Sequence, residues 1–123
     1  MGFLFGNSHN DKAKMLQTIM VDRKLEVKEH QVTDEIKKLS SEIYQLQGRV
    51  VQIEDELSKL TVMLNSKEYQ PQWHQLEAQR LTLEKELERL TDIELAEAKQ
   101  LRNKLDTFRV MVRAEEKIDR KVA

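Results

Sequence analysis

The chain has 123 residues, of which 35% are charged and 39% apolar, with three Gly, one Pro and no Cys. The absence of Cys excludes disulfide scaffolds and thiolate zinc sites, so few Gly and Pro cannot turn a β-rich domain, and the wealth of Leu, Ile and Val argues against disorder. Ala, Glu, Lys, Leu and Arg make up nearly half the residues, the mark of long helices and coiled coils, and a net charge of −1 gives no general attraction for nucleic acid.

Residues 1–10 read as a short apolar tail ahead of the first helix. The uncharged run Met1 to Asn10 is far below the ~20 residues that span a bilayer. It lacks the basic leading region of a secretion signal, and Gly6 stands where a myristoylation signal has Ser or Thr. The expectation is a cytoplasmic protein, peripheral at most on the inner membrane face. Phe3, Leu4 and Phe5 have two possible destinations. They insert shallowly into an anionic membrane, at about 1.5–3 kcal/mol for each side chain buried, or they pack against protein.

Ser8 and Asp11 have the spacing of a helix cap, and residues 11–65 then read as one long helix. Its seam is the strongest signal in the sequence: Ile36, Leu39, Ile43, Leu46, Val50, Ile53, Leu57, Leu60 and Leu64 alternate in steps of three and four. Upstream, the seam passes through Val32, Leu25 and Met15 but is interrupted by Glu29, Asp22 and Thr18. Residues 66–71 form the turn, with Asn65 suited to closing one helix and Pro71 to opening the next.

A second helix is predicted over 72–121, with seam Trp73, Leu76, Leu83, Leu87, Leu90, Leu101, Leu105, Phe108 and Val112. The eleven-residue step from Leu90 to Leu101 is a stutter in the heptads. The predicted fold is all-α: residues 11–123 form two long helices in an antiparallel coiled-coil hairpin. Its register sets Leu60 opposite Leu76, Ile53 opposite Leu83, Ile43 opposite Ile93 and Val32 opposite Leu105. One long helix kinked at Pro71 is the competing arrangement.

Charge is distributed unevenly. Residues 54–97 carry five positive and eleven negative side chains, and residues 99–123 carry eight positive and four negative. In a hairpin the basic end would bring Lys12, Lys14, Arg23, Lys24, Arg113, Lys117, Arg120 and Lys121 beside the apolar tail, with the acidic turn at the other end. The gradient is either a solvated surface or the basis for staggered packing into a polymer. Apolar residues off the seam (Tyr44, Val51, Val62, Met63, Leu81, Leu95 and Val110) are candidates for self-association, because a two-helix hairpin has no third wall. At the tip, Tyr69 and Trp73 seal the seam or anchor a partner. Gly48 falls on the outer face, where it costs roughly 1 kcal/mol against Ala.

No catalytic, cofactor or metal site is expected. His9, His30 and His74 are scattered, no Gly-rich phosphate loop is present, and the carboxylates sit at heptad flanks. An enzyme is therefore not expected.

The start Met1-Gly2-Phe3-Leu4-Phe5-Gly6, followed by a polar stretch and a long helical hairpin, resembles the ESCRT-III superfamily, including its bacterial phage-shock-protein A branch. The resemblance implies membrane insertion by Phe3, Leu4 and Phe5 and side-by-side stacking of hairpins into membrane-remodelling filaments. Members of that family have a more uniformly basic first helix and continue into further helices. The expected function is a non-enzymatic structural protein, a homo-oligomer or polymer on an anionic membrane surface. The alternative is a soluble coiled-coil adaptor or assembly factor in a larger bacterial or viral machine.

Overall fold

The computed structural model describes the backbone of residues 8–22 and 27–122 and the side chains of residues 8–18 and 27–118. The regular structure among them is helical throughout, so the all-α class holds. The elements are α1 (His9–Asp22), α2 (Glu29–Leu64), a 3-10 segment (Lys67–Gln72), α3 (Trp73–Arg89), a π-helical segment (Leu90–Leu95) and α4 (Ala96–Val122).

The Ser8 cap forms as the spacing predicts. Ser8 Oγ accepts the Asp11 backbone N–H at 3.1 Å, and the Ser8 carbonyl accepts that of Lys12 at 3.1 Å.

The expected unbroken helix over 11–65 is a correction. Val27 and Lys28 lie outside any helix, and α2 starts afresh at Glu29. Its first donors are satisfied by side chains: the Lys28 N–H donates to Gln31 Oε1 at 3.0 Å, and the Glu29 N–H donates to Glu116 Oε1 of α4 at 3.0 Å. The physical reason is visible in the interrupted seam. With Thr18, Asp22 and Glu29 at positions that would face a partner helix, a straight continuation has no apolar stripe to bury.

The turn is close to its expected place. The Asn65 N–H bonds the Thr61 carbonyl, the Ser66 N–H bonds that of Met63, and the Tyr69 N–H bonds that of Ser66, at 3.1, 3.1 and 3.3 Å. Pro71 lies within the 3-10 segment that leads into α3. Its locked φ fits such a tight turn, and its missing N–H removes no α-helical bond.

The eleven-residue stutter becomes the π-helical segment. A π turn takes in one extra residue per hydrogen-bonded loop. That carries Leu95 round to the side of Leu90, and both are buried. The seam then continues through Ala98, Leu101, Leu105, Phe108 and Val112, all buried. Two expectations change with it. Leu95, expected as a spare surface residue, is only 6% exposed, whereas Ile93, expected opposite Ile43, is 52% exposed.

The chain divides into two compact units, Met1–Ile43 with Glu97–Ala123, and Tyr44–Ala96. In the first, α1 supplies Ala13 and Leu16 to a core that also holds Val32, Leu39, Ile43, Leu101 and Leu105. His9 Nε2 lies 2.9 Å from Glu42 Oε1. The fourteen residues of α1 measure about 20 Å, nearly the same as the run from Glu29 to Glu42. Thus α1 starts beside Glu42 and runs back along α2. The first unit has three helical walls, not the expected two.

Register in this unit also departs from expectation. A constant turn-centred register sets Glu29 opposite Thr107, yet Glu29 bonds Arg113 and Glu116.

In the second unit, Ile53, Leu60, Leu76, Leu90 and Leu95 are buried. Arg49 of α2 binds Glu86 of α3 through two hydrogen bonds, of 3.1 and 3.2 Å. Numbers 49 and 86 add to within one of the value expected from a turn centred near residue 68.

Candidate interaction surfaces

The residues predicted to meet a membrane are only partly among those the structure describes. Phe3, Leu4, Phe5, Arg23 and Lys24 lie outside the described residues, as do the side chains of Arg120 and Lys121. Lys14 is exposed on α1, and Lys12 is half-buried near His9 and Leu39. Lys117 is exposed on α4. Arg113 is held by Glu29, with its Nε and Nη2 at 2.8 and 2.7 Å from Glu29 Oε1.

The start of α1 is therefore at the level of Glu42, about 20 Å along α2 from the Glu29–Arg113 pair. The expected coincidence of tail and basic cluster required an unbroken first helix. Because α1 runs back along α2, its start lies away from Arg113.

Where α1 lies over α2 and α4, a cavity of about 70 Å³ is lined by His9, Lys12, Leu39, Leu101 and Leu105 among others. His9 Nδ1 is buried there without a hydrogen-bond partner among the described residues. The Glu42 carboxylate thus meets His9 through Nε2 alone. Composition flagged none of this, because His9 reads as isolated until α1 folds back.

The self-association candidates separate into two sets. Tyr44, Val51 and Val62 are 78%, 65% and 70% exposed, and Leu81 and Val110 are exposed as well. Met63 is half-buried, and Leu95 belongs to the core. Tyr69 and Trp73 at the turn are both half-buried, and the Trp73 indole Nε1 is buried without a partner among the described residues.

Ion pairs dress the outside. On α3, Arg80 binds both Glu77 and Glu84, the latter at 2.8 Å. The hydrogen bond from Arg80 holds the Glu77 carboxyl below the usual carboxylate range, and the same contact raises Arg80. Because the folded value is lowered, the contribution to stability is present above the unfolded carboxylate pKa and lost as pH falls through the folded value. Replacing Arg80 with Gln is expected to return Glu77 to the ordinary range in a carbon-detected NMR titration. An unmoved titration would show that Arg80 is not the cause.

Among the described residues no group of three or more His, Cys, Asp or Glu is arranged to hold a metal ion. No described helix is long and apolar enough to cross a membrane.

No family model, curated protein or solved structure matches the chain.

The surface therefore has to be read from its own chemistry. Its main chemical feature is the run of large apolar side chains left outside on α2, in a unit that has no equivalent of α1 to cover them.

Proposed function

We propose that the protein is a non-enzymatic structural protein that acts by self-assembly, with the segment Tyr44–Ala96 forming an antiparallel coiled-coil hairpin. The observation that carries this reading is the exposure of Tyr44, Val51 and Val62 on α2. Single exposed apolar residues are ordinary, but three on one side of one helix form a face suited to partner binding. The coiled-coil hairpin is supported by the Arg49–Glu86 pair and by burial of Ile53, Leu60, Leu76 and Leu90 at seam positions.

Sedimentation velocity across the micromolar range, with negative-stain microscopy of the same samples, tests the proposal. The expected result is mass that grows with concentration and discrete or filamentous assemblies on the grid. A chain that stays monomeric throughout overturns it.

A second reading, attachment to an anionic membrane from the cytoplasmic side, is favoured by Lys12 and Lys14. They follow Phe3, Leu4 and Phe5 closely along the chain and occupy the first turns of α1. Each basic residue near an anionic surface adds about 1 kcal/mol. The resemblance of Met1 to Gly6 to the start of ESCRT-III proteins belongs to this reading. Co-sedimentation with anionic vesicles at low salt is expected to retain the intact chain and to fail when Phe3, Leu4 and Phe5 are all Ser. No retention of the intact chain would leave a soluble adaptor in its place.

A further inference from the structure

Between Glu97 and Glu115, α4 carries Lys99, Arg102, Lys104, Arg109 and Arg113, with Asp106 the single carboxylate in that stretch. Asp106 pairs with Arg109 at 3.4 Å, and Glu29 of α2 holds Arg113. The charge left over is positive.

Its placement follows from the helical period. At roughly 100° per residue, the buried Leu101, Leu105, Phe108 and Val112 share one side of α4. The opposite arc is about 100° wide, from the line of Lys99 and Lys117, through Val110 and Ala114, to Ile118. It contains no carboxylate, and every residue on it is exposed. Val110 and Ile118 are 65% and 59% exposed. From Lys99 to Ile118 the arc is about 29 Å long.

We propose that this arc of α4 is a face by which the protein lies on an anionic lipid bilayer, with Lys99 and Lys117 among the headgroups and Val110 and Ile118 at the acyl boundary. The inference rests on the membrane reading and adds a contact outside the tail and the first turns of α1.

Charge and apolarity together select lipid as the occupant. The arc has one sign of charge, so it complements an anionic surface, whereas the same arc of a second copy would set cation against cation. Nucleic acid is anionic too, but single strands need aromatic platforms for their bases. Phe108, the one aromatic residue of α4, is 5% exposed. An anionic bilayer takes both kinds of side chain on the arc: lysine stems lie along apolar surface while their charged ends reach the headgroups, and exposed Val and Ile enter the interface. With so few apolar side chains the attachment is weak and reversible, and each cation strengthens it about 5-fold.

The test uses the full chain at low salt, with phosphatidylcholine vesicles that contain or lack phosphatidylserine. The intact chain is expected to co-sediment with the anionic vesicles and not with the neutral ones. Lys99→Gln/Lys117→Gln is expected to lower the partition about 25-fold, from roughly 5-fold per cation, and Val110→Ser/Ile118→Ser to lower it several-fold. Lys59→Gln/Lys85→Gln makes the same charge change on α2 and α3 and is expected to leave it unchanged. All these side chains are exposed, so helicity is expected to be retained. With no native Cys, a polarity-sensitive dye on Val110→Cys is expected to shift to the blue on anionic vesicles, and one on Val62→Cys to stay unshifted.

Full binding by Lys99→Gln/Lys117→Gln, with loss when Phe3, Leu4 and Phe5 are all Ser, overturns the α4 face and leaves attachment by the tail standing. Equal loss in Lys59→Gln/Lys85→Gln, equal pelleting with neutral vesicles, or an unshifted dye at Val110→Cys also overturns the face. Tighter binding to a short DNA duplex, lost in Lys99→Gln/Lys117→Gln, puts nucleic acid in place of lipid. An intact chain that ignores anionic vesicles overturns both this contact and the membrane reading.

Discussion

Truncating Leu105 to Ala lowers the stability of the unit formed by α1, the first part of α2 and α4 by about 2–5 kcal/mol, the range for a buried leucine whose surroundings cannot collapse into the space. Leu105 is 1% exposed and lies beside the cavity under α1, next to Leu101 and Leu39. Enlarging an existing void places the variant toward the upper part of that range, since the cost rises with residual cavity volume. Val110→Ala on the exposed side of the same helix is the comparison, expected to change stability by less than about 0.5 kcal/mol. Urea unfolding followed by helical circular dichroism reads both. Equal midpoints for the two variants would show that Leu105 is not packed as the structure has it.

Leu16→Ala acts on a single element. Leu16 is 0% exposed and, with Ala13, is buried among the described side chains of α1. An isolated helix of fourteen residues is marginal in water, so α1 depends on that docking for its order. The expected result is loss of amide hydrogen-exchange protection, by an order of magnitude or more, over residues 9–22. Residues 29–43 and 97–112 keep most of theirs. Uniform loss across all three segments would make α1 an inseparable part of the core. Unchanged protection over 9–22 would mean that other contacts hold it.

Much of the fold could be read from periodicity. The steps of three and four from Leu39 to Leu60 select the inner side of α2: Leu39, Ile43, Ile53 and Leu60 are buried, and Leu46, Val50 and Leu57 are half-buried. Ser8 and Asp11 fixed the start of α1, and Asn65 and Pro71 bracketed the turn, because capping and φ restriction are local physics.

The errors came where a pattern was extended across a gap. Thr18, Asp22 and Glu29 were visible interruptions, but a weakened seam does not say that the chain doubles back over itself. That outcome depends on whether Ala13 and Leu16 find a surface on α2 and α4, which is a tertiary question. The step from Leu90 to Leu101 was likewise visible as a phase error. Its resolution as a π turn, with Leu95 inside and Ile93 outside, requires a widened hydrogen-bond loop that heptad counting cannot represent.

The surface was legible in part. Tyr44, Val51, Val62, Leu81 and Val110 are exposed as their off-seam positions imply. The distance between the start of α1 and Arg113 was not legible, since a straight first helix had been expected across the break at residues 27–28.

The widened loop at Leu90–Leu95 also says something about descent. A surplus residue taken up on the spot leaves the stretches before and after it each in their own phase, so a single codon gained or lost there need not scramble the buried side. A lineage that dropped Ile93 would inherit Leu90 and Leu95 four apart instead of five, still on one side of an ordinary helix. Variation in length is expected to be tolerated at that joint, leaving the flanking stretches free to diverge one substitution at a time.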